Sequence, residues 1–223
     1  MHRMNRTAFR LNTHASADDH VHYWSCRPVA ERLRALYLLN QYAFHLGENR
    51  SSLRSTMTGE HRAPESHQMW GADFSKFLKA LYLHEVTYVL IGGYAVNIHG
   101  YSRSTGNLDI WVDVTPENYA RLVEAFADFR MPLFDMTLEK FLNTEEYDVF
   151  SFGVPPSAID LLTKAKGLDF ATTYANSTVY ELDELAVRVI SFNDLLRAKE
   201  AAGRYRDLND LEQLRKLTVG EEE

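Results

Sequence analysis

Cysteine is nearly missing from this chain of 223 residues: Cys26 stands alone, so no internal disulfide can form, and a reducing, cytoplasmic setting is expected. Long apolar runs are missing too. No stretch approaches the roughly 20 residues that a membrane helix needs. The opening MHRMNRTAFRLNTHASADDH has no apolar signal core, so no membrane association is expected. Internal repeats are absent. Lysine is absent from residues 1–70, which carry nine Arg against six Asp and Glu. The rest of the chain holds 15 basic and 25 acidic side chains, so the net charge of −7 belongs to the larger C-terminal part. Such an acidic body excludes a broad nucleic-acid-binding surface while leaving room for a local basic groove. The Arg-only arm either meets RNA or an acidic partner or is simply solvated. What is present is ordinary for a globular protein, with 45% hydrophobic residues and 12% aromatics.

The chain divides by texture. Residues 1–22 are polar, His-rich and without apolar period, and are expected to be a disordered arm. RPVAERLRALYLLNQYAFHLGE places Pro28 where a first helical turn accepts it and Gly47 as a stop. Leu33, Leu36, Tyr37, Leu39 and Phe44 form its apolar stripe, so an amphipathic helix of about five turns is expected. A Ser-, Arg- and His-rich linker follows, with a domain boundary near residue 68 (23–68 helix and linker, 69–217 main domain, 218–223 acidic tail). In the main domain, GADFSKFLKALYLHEV is helical by the spacing of Phe74, Phe77, Leu78, Leu81 and Leu83. TYVLIGG reads as a strand stopped by a glycine pair, YAVNIHG as two helical turns, SRSTG as a loop and NLDIWVDV as a strand. TPENYARLVEAFADF begins a helix with Thr115 as N-cap and Pro116 as first helical residue. YDVFSFGV and SAIDLLT read as paired strands, VYELDELAVRVIS as a hairpin, and SFNDLLRAKEAAG and DLNDLEQLRKL as closing helices. The sum is an α/β (α+β) fold: a small mixed sheet flanked by helices, plus an N-terminal helical extension.

The chemistry concentrates in NLDIW. Alternation along a strand puts Asn107, Asp109, Trp111 and Asp113 on one face, with Asn107 and Asp109 about 6.6 Å apart and able to converge on one ion. Asp113 lies about 13 Å from Asp109 and is too far to join. Asp160 in SAIDLL is a second carboxylate in apolar surroundings. Buried unpaired carboxylates are costly, so the two demand a cation or hydrogen-bond partners. Local satisfaction of each by backbone N–H groups or an arginine is the plainer alternative. Gly92–Gly93, after a strand and before a helix, is a turn whose backbone N–H groups can approach a phosphate.

Strand, Gly-Gly, thirteen intervening residues, then polar–Leu–Asp and a further Asp on a later strand resembles the nucleotidyltransferase superfamily that includes DNA polymerase β. The finer pattern IGGYAVNIHGYSRSTGNLDIWV is similar to the AbiEii-type and MNT-like bacterial nucleotidyltransferases of toxin–antitoxin and phage-defence systems. The matched positions are Gly92, Gly93, Ala95, His99, Gly100, Arg103, Thr105 and Asp109. KEAAGRYRDLNDL resembles the closing helix pair of the same family at Lys199, Arg204 and Asp207, with Arg206 in place of the usual lysine.

The resemblance implies a nucleotidyltransferase fold and NMP transfer from an NTP to an RNA, tRNA included, or to a protein hydroxyl. It implies Mg²⁺ or Mn²⁺ held by Asp109, Asp160 and the residue at 107, and nucleotide bound by Gly92, Gly93, Arg103, Thr105, Lys199 and Arg204. Asp207 would be an extra base or would orient Arg204; a helix-start carboxylate is its plainer role. Lys199 is alternatively a solvated helix lysine, Arg103 a brace for its loop, and His99 a helix-end histidine bonded to backbone.

Asn107 departs from the family's first metal-binding Asp: its amide oxygen can coordinate but brings no charge. Three explanations stand: a slow site, nucleotide or partner binding without turnover (an inactive transferase-fold antitoxin, for instance), or a deliberate Asp→Asn change. HVHYWSC with His45 superficially offers zinc ligands, but at no established spacing. The N-terminal helix is similar to a short protein found beside bacterial toxin–antitoxin and mobile-element genes. Its stripe is expected to be covered by the main domain or by a cognate partner.

Overall fold

The β-rich stretches of the sequence assemble into one six-stranded sheet in the computed structural model, which describes residues 21–48, 72–154, 158–182 and 185–219. A helical turn at 21–25 leads into α1 (Val29–Glu48), followed by α2 (Ala72–Leu83). Then come β1 (Tyr88–Leu90), α3 (Gly92–Ile98), β2 (Asn107–Val112), α4 (Pro116–Asp128) and α5 (Leu138–Leu142). The chain closes with β3 (Val149–Phe152), β4 (Ala158–Leu162), α6 (Phe170–Asn176), β5 (Thr178–Leu182), β6 (Leu185–Val189), α7 (Phe192–Ala202) and α8 (Tyr205–Val219).

The sheet runs β3-β4-β2-β1-β6-β5. β1 pairs antiparallel with β2 and parallel with β6, while β2 pairs parallel with β4. The β3–β4 and β5–β6 pairs are antiparallel. The expected mixed α/β architecture, a small mixed sheet flanked by helices, is what forms. Local signals explain much of it. Thr115 accepts the N–H of Asn118 and Pro116 opens α4; Ser191 caps α7 in the same way through Asp194, and Gly203 ends it in the left-handed region at φ +63.

Two apolar positions fall outside the expected stripes. Leu39 is 45% exposed because Asn40 takes the inward position on α1, and Leu83 is 60% exposed because it lies about half a turn from the Phe77–Leu81 face. Leu33 and Leu36 are fully buried in the same cluster as Phe77, Leu90, Ile98 and Ile110, so α1 packs on this chain's own core. Leu33 and Leu36 are therefore covered by the main domain, the first of the two expected covers, while the side chain of Phe44 lies outside the described residues. Val21 is buried within the turn at 21–25, so helical chain begins inside the expected 1–22 arm. The remainder of that arm, the linker with its boundary near residue 68, and the acidic tail beyond Val219 lie outside the described residues. Among the described residues no helix is long and apolar enough to cross a membrane.

Candidate functional site at the diglycine turn

Parallel pairing sets the site. Asp109 on β2 and Asp160 on β4 are register partners, so their side chains leave the sheet on one face, side by side. β2 buries Leu108 and Ile110 on the opposite face and leaves Asn107 and Asp109 half-buried, while Trp111 further along is closed off by Phe170 at 5.2 Å.

Asn107 reaches across to β4. Its Nδ2 donates to Asp160 Oδ2 at 2.6 Å, and Ser151 Oγ on β3 donates to Asp160 Oδ1 at 2.6 Å. The direction is chemically fixed, since a carboxylate only accepts. Both oxygens of Asp160 thus carry one hydrogen bond, with lone pairs to spare.

The glycine pair is built around Asp109. Gly92 has φ +67, and a Cβ there would fall 2.1 Å from Asp109 Oδ2; a Cβ on Gly93 would fall 2.3 Å from Thr105 Oγ1. Gly93 N–H donates to Asp109 Oδ2 at 3.3 Å. Burial pushes the Asp109 carboxyl up to about 6; the Gly93 hydrogen bond and the charges of Lys199 and Arg103 pull it down, and the neighbouring Asp160 adds to the rise. Tyr94 on α3 is pushed above its ordinary range, first by burial and then by Asp109.

The loop between α3 and β2 is held by two asparagines that sequence reading did not single out. Asn97, fully buried, donates to the carbonyls of Gly93 (2.9 Å) and Arg103 (3.0 Å) and accepts from Arg103 N–H at 3.0 Å. Asn40 on α1 donates to the Thr105 carbonyl at 2.6 Å and accepts its N–H at 3.2 Å. A lone polar residue inside an apolar helical run was the available signal for both. Thr105 therefore packs its side chain on Gly93 and spends its backbone on α1.

A buried ion cluster forms the far wall. Arg103 makes two 2.6 Å contacts with Asp210, and Lys199 contacts Asp207 at 2.6 Å and Asp210 at 2.9 Å. Asp210 is fully buried; burial alone would raise its carboxyl, but the hydrogen bond and charge of Arg103 and then of Lys199 hold it below the ordinary value. Arg206 donates to the Ser104 carbonyl. Three cations face two carboxylates here, which leaves a positive surplus beside Asp109 and Asp160.

Asp210 is the residue missed, although its position three beyond Asp207 on a helix was legible. Asp207 partners Lys199 rather than Arg204, and Arg204 is exposed and stands apart from this cluster. Lys199 is buried, not a solvated helix lysine. His99 acts structurally: its ring Nε2–H donates to the Ile190 carbonyl at 2.7 Å.

Gly92, Gly93, Thr105, Asn107, Asp109 and Asp160 thus form one group, backed by Arg103, Lys199 and Asp207. Among the described residues no cluster of three or more His, Cys, Asp or Glu is arranged to hold a metal ion; of the zinc candidates, His20 and the side chain of His45 lie outside the described residues. The oxygen set here is two carboxylates and an amide. No family model and no curated protein matches the chain.

Proposed function

We propose that this protein is a nucleotidyltransferase-like member of a bacterial toxin–antitoxin or phage-defence system, moving NMP from an NTP to a hydroxyl of RNA, tRNA included, or of a protein. The observation that carries the proposal is the register pairing of Asp109 with Asp160 against the Gly92–Gly93 turn. The donor set fits a hard divalent cation in kind: all oxygen, with two carboxylates whose mutual repulsion a cation would relieve. Asp109, Asp160 and the amide oxygen of Asn107 would hold Mg²⁺ or Mn²⁺. Such an ion, when bound, neutralises phosphate charge and lowers the pKa of an acceptor hydroxyl. Arg103, Lys199 and Arg206 supply positive potential where phosphates would lie.

One observation favours a second reading. The Asn107 amide already satisfies an oxygen of Asp160, so the face is stable with less negative charge than three carboxylates would bring. That suits a transferase-fold antitoxin or partner-binding protein without turnover.

Incubation with each α-labelled NTP, Mg²⁺ or Mn²⁺, and total tRNA or lysate separates the two. Label transferred by the parent protein, and lost in Asp109→Ala, supports transfer. Label gained only in Asn107→Asp marks a disarmed transferase, and no label in any form removes the enzymatic reading.

A further inference from the structure

The row of side chains that starts at the diglycine turn continues past Asp160. Ser151 on β3 is the register partner of Asp160, which is in turn the register partner of Asp109. The three therefore leave the sheet on one face, in a line across β2, β4 and β3. Neighbouring strands lie about 4.8 Å apart, so the line spans about 10 Å. Its two ends differ in chemistry. At the β2 end stand the Gly93 N–H, which donates to Asp109, and the cations Arg103 and Lys199, whose charges reach Asp109. At the β3 end the sheet stops, and Ser151 is exposed. Its hydroxyl donates to Asp160 Oδ1 at 2.6 Å, and no donor among the described residues reaches the lone pairs of its oxygen. Displacement at a phosphorus runs roughly in line, with the incoming oxygen opposite the leaving one. With phosphates held by the cations at the β2 end, an acceptor hydroxyl has to enter from the β4–β3 end, where Ser151 stands.

We propose that Ser151 is itself an acceptor, so that the protein transfers an NMP from an NTP to its own Ser151 hydroxyl. The inference rests on the transferase reading above and names an acceptor for the same site. In the step, Ser151 Oγ bonds to the α-phosphorus and the bond from that phosphorus to the oxygen bridging to the β-phosphate breaks. Pyrophosphate leaves with the electron pair of that bond. The Oγ proton passes along the hydrogen bond to Asp160 Oδ1 and from there to solvent. NTP is the co-reactant, and nothing is oxidised or reduced. β3 offers no second hydroxyl, since its other residues are Val149, Phe150 and Phe152. The phosphodiester formed lies against Asp160 and fills the side from which an external hydroxyl would come, so the reaction stops at one NMP per chain.

The test is intact-protein mass spectrometry of the full-length chain after incubation with each NTP and Mg²⁺ or Mn²⁺. Tandem mass spectrometry locates any adduct, and labelling of tRNA or lysate runs in parallel. Expected is one NMP added per chain, on Ser151, in the parent or in Asn107→Asp. The adduct is absent in Ser151→Ala and retained in Ser151→Thr. A second readout needs no turnover: in Ser151→Cys combined with Cys26→Ala, saturating NTP with Mg²⁺ should slow alkylation of the thiol by iodoacetamide at least tenfold. An adduct on another residue overturns the proposal, as does a thiol that NTP leaves unprotected. Label passed to tRNA or lysate with no adduct in any form also overturns it, and leaves the transferase reading standing with Ser151 only orienting Asp160. Neither label nor adduct in any form removes both, and a protected thiol then marks nucleotide bound without turnover.

Discussion

At Asp109 burial and a neighbouring carboxylate work against ionisation, and the backbone of Gly93 works for it. The folded-state value of about 6 lies above the ordinary 3.8, so the native protein binds the proton more tightly than the unfolded chain. Stability is then highest below 3.8, falls as pH rises through 6, and is lower by up to about 3 kcal/mol beyond that, less whatever solvent screening removes. Asp109→Asn keeps the shape and removes the titration. In EDTA it is expected to be more stable than the parent at about pH 8 and to lose this slope, as read from urea unfolding across the range. Gly92 is the matching steric test. Gly92→Ala meets both a left-handed backbone and the Asp109 oxygen 2.1 Å away, and should cost about 2–4 kcal/mol. Combining it with Asp109→Ala should recover part of that loss in a double-mutant cycle, whereas strict additivity would show that the contact is not the cause.

Between elements, the loop from His99 to Gly106 is positioned by side chains from far away in sequence. Asn40→Ala removes both bonds to Thr105 and should cost about 1–3 kcal/mol, with amide exchange speeding up at Thr105 before it does on β2. Unchanged exchange at Thr105 would show that α1 does not hold the loop. The ion cluster between that loop, α7 and α8 is more sensitive. Asp210→Asn leaves Arg103 and Lys199 short of a buried countercharge, and a loss of about 3–5 kcal/mol in denaturant unfolding is expected. Because the Asp210 carboxyl is held below its ordinary value, its contribution is complete above 3.8 and disappears as pH falls through the folded value.

Across the whole molecule, what was legible in the sequence was local or periodic. The Thr115 cap, the glycine-ended strand and the Phe77–Leu81 stripe each depend on a few neighbouring residues. The alternation in NLDIW placed Asn107 and Asp109 on one face, and the apolar setting of Asp160 marked it as a partner. What alternation along one strand could not supply was the register between strands. That register set the amide nitrogen of Asn107 against Asp160, a contact between strands that alternation along β2 does not reveal. Asn40 was illegible for a related reason, since its partner lies 65 positions away on a loop whose path only the packing of α1 on α3 determines. Asp210 needed the contact of α7 with α8 before its buried charges could be counted.

The proposed function requires Asp109 and Asp160 to share one divalent ion beside the diglycine turn, with Asn107 lowering the affinity. Mn²⁺ binding in the presence of NTP, counted by electron paramagnetic resonance, tests it most directly in the parent, Asn107→Asp and Asp109→Ala proteins. Expected is at least tenfold tighter binding in Asn107→Asp than in the parent, about 1.4 kcal/mol, and loss of binding in Asp109→Ala. Equal binding by all three would contradict it.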